Sequence, residues 1–142
     1  ARTYLEARGR DADLADMVSI ASGQAAAEDA LARRCGGLLF CDTDPLSTAQ
    51  WSEALHGEVP AAVSAAAKGR RYALTLLLRP DVPRVADRLR YLPEGGEDFF
   101  ERSKELLVDA GRAFVEIGGD FDQRERSAVE AVEQLLRRAP AT

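Results

Sequence analysis

"LLFCDTDPLST", Leu38 to Thr48, is the most informative stretch of this chain. Four apolar residues stop at two aspartates one residue apart, and Pro45, Ser47 and Thr48 follow at once. An apolar run of this length reads as a buried strand of a parallel sheet, with a polar tip at its carboxyl end. Strand side chains alternate, so Asp42 and Asp44 point the same way if the chain stays extended, with Thr43 opposite. Asp-Pro also reads as the start of a helix, an N-cap carboxylate followed by proline at the first helical position.

Outward from that stretch the pattern repeats. Residues 37–42 (GLLFCD), 72–78 (YALTLLL) and 112–118 (RAFVEIG) are short apolar runs that read as strands. Helical periodicity fills the spaces between them. Residues 13–34 set Leu14, Met17, Ala21, Gln24 and Leu31 on one stripe, with Asp11 or Asp13 to cap the start and Gly36-Gly37 beyond the end. Residues 45–56 put Trp51 and Leu55 on one face, and 60–68 form an alanine-rich helix stopped by Gly69. Residues 96–110 and 122–138 are two further helices, with Phe99, Leu106, Val129, Val132 and Leu136 at core-like spacing. Strands alternating with helices predict one α/β domain over 1–142 with a mostly parallel sheet.

Composition narrows the partners. The chain has 142 residues, 46% hydrophobic and 30% charged, enough for one globular core. A net charge of -5 disfavours a nucleic-acid backbone as partner. No apolar stretch approaches the roughly 20 residues of a membrane helix, so the expectation is a soluble, cytoplasmic protein with no membrane partner. Cys35 and Cys41 are too few for a disulfide framework, and Cys41 reads as a small core residue. His56 is the single histidine, which disfavours a zinc site or a histidine-dependent triad.

Three features suggest ligand chemistry. In open α/β sheets ligands sit beyond the carboxyl ends of strands, where Asp42 falls. A hydrophobic run ending in aspartate is how P-loop nucleotide enzymes hold magnesium, directly or through water. The segment 79–95, "RPDVPRVADRLRYLPEG", carries three prolines and four arginines, Arg79, Arg84, Arg88 and Arg90. It is long for an α/β connection, and reads either as a flap over an anionic ligand or as a solvated surface loop. Gln24, an amide on an apolar stripe, needs partners, either backbone groups or a ligand.

"ARTYLEARG", "ADMVSIASGQ", "LLFCDTDPLST", "LLLRPDVPRVADRLR" and "VEIGGDFDQRERSAVEAV" occur in an order and spacing that resembles nicotinamide riboside (ribosylnicotinamide) kinase domains of the NadR type, P-loop nucleoside-kinase-like ATPases. The resemblance spans Ala1 to Leu136 and is most specific at Asp42, Thr43, Asp44 and Thr48 and at Gly119, Asp120, Phe121 and Arg124. It implies transfer of the ATP γ-phosphoryl to the 5′-hydroxyl of nicotinamide riboside, with ATP and Mg2+ as cofactors and a small nucleoside as acceptor. It further implies that Asp42 is the Walker B aspartate that orders magnesium, and that Gln24, Asp44 and Thr48 lie near the riboside. Arg88 and Arg90 would neutralise phosphoryl charge from the lid, and the turn of Gly119, Asp120 and Arg124 would border the adenine.

The chain departs from that pattern in two places. Lys68 and Lys104, the only lysines, follow Ala67 and Ser103, so GxxxxGK[ST] is absent and the ATP phosphates lack their cradle of backbone amides. The family's sheet order is 2-3-1-4-5, and the strands here correspond to 3, 4 and 5. The expectation is therefore a P-loop NTPase sheet with flanking helices lacking its first two strands, the C-terminal portion of a longer kinase that is inactive without the upstream loop. The alternative is a non-catalytic nucleotide-binding or regulatory module that keeps the fold. The family's lid "PW-x-D-D-G-x-R" reads here as Pro83, Arg84, Val85, Ala86, Asp87, Arg88, Leu89, Arg90, which removes an aromatic platform and adds arginine.

Overall fold

The computed structural model describes residues 2–82 and 96–138. The chain forms two compact units, residues 1–70 and 71–142.

The first unit is helical. α1 (Arg2–Arg8) leads to α2 (Leu14–Ala32), then α3 (Pro45–His56) and α4 (Ala61–Gly69). Asp13 caps α2 reciprocally with Asp16: the Asp16 backbone N–H donates to Asp13 Oδ1 at 2.9 Å, and the Asp13 N–H to Asp16 Oδ2 at 3.0 Å. Asp44 caps α3 by accepting from Ser47 N at 2.8 Å, with Pro45 at the first helical position. Gly57 ends that helix at φ 72°, where its missing Cβ avoids a steric penalty. Met17 and Ala21 of α2 and Val63 of α4 form the buried centre, with Ala49 and Leu55 of α3 packed on it. Fully burying a side chain such as Met17 or Val63 contributes about 1.5–3 kcal/mol. Helix α1 is anchored at Asp16, which is fully buried: Tyr4 Oη donates to it at 2.7 Å, Arg8 Nη2 at 2.9 Å, and Arg10 Nη1 pairs with it at 2.7 Å.

Two expectations fail in this unit. Leu31, predicted on the core stripe, is 54% exposed. Residues 37–42 form no strand; they have no ladder partner among the described residues. A strand is a paired state, and the apolar run alone supplies only extended propensity. Burial still alternates as in an extended chain, with Leu38 and Phe40 exposed and Leu39 and Cys41 half-buried.

The second unit holds the sheet. β1 (Thr75–Leu78) pairs in parallel with β2 (Phe114–Ile117), Thr75 opposite Phe114 and Leu78 opposite Ile117. Parallel neighbours need a crossover, and α5 (Gly96–Asp109) lies on it; α6 (Phe121–Arg138) follows β2. The unit's buried hydrophobic residues, among those described, are Phe100, Leu107 and Ile117. On α5 the buried pair is thus Phe100 and Leu107 rather than the predicted Phe99 and Leu106, a shift of one residue around the helix. Val129 and Leu136 of α6, also predicted as core, are 51% and 53% exposed. The predicted strands 72–78 and 112–118 shorten to four residues each. No helix among the described residues is long and apolar enough to cross a membrane.

Candidate functional site

In the first unit, four of the residues singled out from sequence surround one turn. Gln24 projects from α2, and its Nε2 donates to Thr43 O at 2.6 Å, Asp42 O at 3.2 Å and Glu28 Oε1 at 3.1 Å. Its amide hydrogens are therefore spent inside the protein. Thr43 has φ 62°, in the left-handed region that a β-branched residue rarely adopts. Its hydroxyl donates back to Asp42 O at 2.6 Å. Asp44 is committed to Ser47 N, and the buried Thr48 donates its Oγ1 to Asp44 O at 3.3 Å. Both hydroxyl and carboxylate thus serve the first turn of α3.

Asp42 is different. It is exposed, and its carboxylate makes no hydrogen bond or ion pair with any described residue. No group of three or more His, Cys, Asp or Glu among the described residues is placed to hold a metal ion. Magnesium does not need such a group. It keeps several waters and is held by one or two carboxylates plus substrate phosphates, so a single free carboxylate fits it.

In the second unit, Gly119, Asp120 and Arg124 also form one turn. Gly119 has φ 90° and donates its N–H to Asp81 Oδ2 at 2.8 Å. Asp120 Oδ1 accepts from Gln123 N at 2.8 Å while Gln123 Oε1 accepts from Asp120 N at 2.9 Å, a reciprocal cap at the start of α6. Arg124 ties the turn to the end of β1: Nε donates to Gly119 O at 2.8 Å, Nη2 to Arg79 O at 2.7 Å, and Nη2 also pairs with Asp81 Oδ1. The Gly119 N–H and then the Arg124 guanidinium hold the Asp81 carboxyl below the usual carboxylate range. Gly118 allows this approach, because a Cβ there would lie 2.8 Å from both Arg79 Cδ and Asp81 Oδ2.

Arg79, read from sequence as one of the flap arginines, belongs to the β1 end instead. It pairs with Glu116 at 2.9 Å and Glu97 at 3.1 Å and lies over the Phe100 ring at 5.0 Å from its centroid. Lys104 reaches the same Glu116 at 2.9 Å and pulls its carboxyl below the ordinary range. Arg84, Arg88 and Arg90 lie outside the described residues. Cys35 and Cys41 are free, and burial pushes the Cys41 thiol up, away from a reactive thiolate.

Sequence reading missed Asp16, Asp81 and Gln123. The spacings Asp13-x-x-Asp16 and Asp120-x-x-Gln123 were available signals for two of them. Asp81 carried none, since its partners, the Gly119 N–H and Arg124, lie 38 and 43 positions away.

Both tips thus sit where a chain enters a helix, and one of the two ends in an unengaged acid. A family model described as an AAA domain matches residues 1–124. This chain belongs to the AAA domain family. The family is one of P-loop ATPase domains, which generally bind ATP with magnesium, and a small parallel sheet with flanking helices is compatible with that fold. No curated protein matches the chain.

Proposed function

We propose that this AAA-family chain contributes the acidic and adenine-facing parts of an ATP-dependent phosphotransferase that acts on a nucleoside, with nicotinamide riboside as acceptor and nicotinamide mononucleotide as product. The observation that carries the proposal is Asp42: an exposed carboxylate, free among the described residues, at the end of an extended apolar run and just ahead of a helix N-terminus. The side chains of Gln24, Thr43, Asp44 and Thr48 are engaged locally, whereas the Asp42 carboxylate has no partner among the described residues.

In this reading Asp42 holds magnesium directly or through water. Held there, magnesium would supply positive charge to offset the negative charge developing on the transferred group. Asp44 and Thr48 stiffen the start of α3 beside the acceptor, and Gly119, Asp120 and Arg124 shape the turn that takes the adenine. In the same reading Arg88 and Arg90 supply positive charge to the transferred phosphoryl group. The lid sequence lacks the family's tryptophan, which bears on the acceptor more than on the phosphate chemistry.

The test is ATP-dependent phosphorylation of nicotinamide riboside by the full-length protein, with Asp42→Ala as control. Turnover by the wild type and a drop of at least about a hundredfold in the variant are expected, in keeping with loss of a charge-stabilising group. Absence of turnover in the wild type would overturn the assignment. Equal rates in both proteins would remove Asp42 from the chemistry.

A further inference from the structure

Gln24 reaches the Asp42–Thr43 turn from α2, 18 residues upstream of Asp42. Its Nε2 faces three oxygens, Thr43 O at 2.6 Å, Asp42 O at 3.2 Å and Glu28 Oε1 at 3.1 Å. Exchanging the amide nitrogen and oxygen would set Gln24 Oε1 against three lone-pair acceptors, so the chemistry of the contacts fixes the amide's orientation. Glu28, itself buried, accepts from the same amide nitrogen.

The turn needs such a hold. Residues 38–43 have no ladder among the described residues, and Thr43 sits at φ 62° with a branched Cβ. That conformation costs on the order of 1–2 kcal/mol and persists only where its surroundings over-determine it. Two devices flank it: the Asp44 cap on the helix side and the Gln24 amide on the strand side. Only the second bonds the carbonyls of Asp42 and Thr43 themselves.

We infer that Gln24 is a positioning residue rather than a substrate ligand: its amide latches the Asp42 and Thr43 carbonyls and thereby sets where the Asp42 carboxylate points. What that carboxylate then does rests on the phosphotransferase reading; the latch itself does not. A substrate acceptor that took this amide's hydrogens would first have to displace internal oxygens.

The experiment uses full-length protein with Gln24→Ala and Gln24→Glu, read in two ways. Hydrogen–deuterium exchange is expected to quicken about five- to tenfold in the peptide covering 42–48 in Gln24→Ala, the loss of roughly one hydrogen bond's net contribution. Gln24→Glu, which turns an acceptor toward the two carbonyls, is expected to exceed it, while peptides of α4 stay unchanged. In the kinetic arm, Gln24→Ala lowers kcat at limiting Mg2+ by about tenfold. Saturating Mg2+ restores it, and KM for the nucleoside stays constant. Unchanged exchange at 42–48 overturns the latch. A raised nucleoside KM with kcat intact makes Gln24 a substrate ligand and overturns the inference. If the wild type transfers no phosphoryl group, the functional reading falls and the exchange arm alone decides the latch.

Discussion

Two turns of this chain lead from an extended segment into a helix, and each carries an aspartate cap and a clamp. At residues 42–44 the cap is Asp44 and the clamp is the Gln24 amide on two backbone carbonyls. At residues 118–120 the cap is Asp120 and the clamp is the Arg124 guanidinium, also on two backbone carbonyls. The turns part at their remaining acid. Asp81 is bound by the Gly119 N–H and by Arg124, whereas Asp42 is bound by nothing described. Because leaving a carboxylate in water costs almost nothing in stability, the free acid is the one available to a ligand.

The largest effect that this contrast predicts is on stability. Arg124→Ala removes three contacts from a side chain only 12% exposed and orphans two carbonyls, so a loss of about 3 kcal/mol is expected in urea unfolding. Asp81→Asn lowers the unfolding midpoint in the same direction. Asp42→Asn stays within about 0.5 kcal/mol of wild type, as an exposed group without partners should. A destabilised Asp42→Asn would erase the distinction between the two turns, since it would expose a structural role for the acid that appears free.

Acid sharpens the same distinction between engaged and free carboxylates. Asp16 is held well below its ordinary value of 3.8, first by the Asp13 N–H and then by Tyr4, with Arg8 and Arg10 adding to it. Asp81 is shifted in the same direction. A depressed folded-state pKa contributes stability that is fully present above the unfolded value and is lost as pH falls through the folded one. The urea midpoint is therefore expected to hold above about pH 4 and to fall steadily below it. Asp16→Asn should start lower and lose less on acidification. A midpoint that rises on acidification would contradict the linkage at both sites.

The sequence made the helices legible because their ends carry local chemistry. Asp44-Pro45 starts α3 at the predicted residue, and Asp13, one of two candidates with Asp11, caps α2. Strands were legible only as apolar runs, and pairing is not a local property. That is why four residues each of 72–78 and 112–118 became β1 and β2 while the equally apolar 37–42 has no ladder partner among the described residues. The candidate site was legible as residue types, and less so as contacts. Gln24 was correctly marked as an amide in need of partners, but whether those were backbone or ligand depended on a turn 18 residues downstream. Arg79 was grouped with the flap because proline-rich sequence follows it, whereas its partners Glu97 and Glu116 come from α5 and β2.

A small predicted effect is the most direct probe of how the two turns differ in backbone. Gly119 adopts φ 90° without strain because it has no Cβ; Thr43 adopts φ 62° with a branched one. Thr43→Gly removes a left-handed penalty of about 1–2 kcal/mol and adds the entropy cost of glycine, roughly 0.5–1 kcal/mol. It also removes the hydroxyl's bond to Asp42 O. These terms nearly cancel, so the midpoint of Thr43→Gly should lie within about 1 kcal/mol of wild type. Thr43→Val, which keeps the branched Cβ and deletes only the hydroxyl, should fall below it. If Thr43→Gly were instead the less stable of the two, the hydroxyl and backbone rigidity would outweigh the left-handed penalty, and the turn would not be holding Thr43 against its own preference.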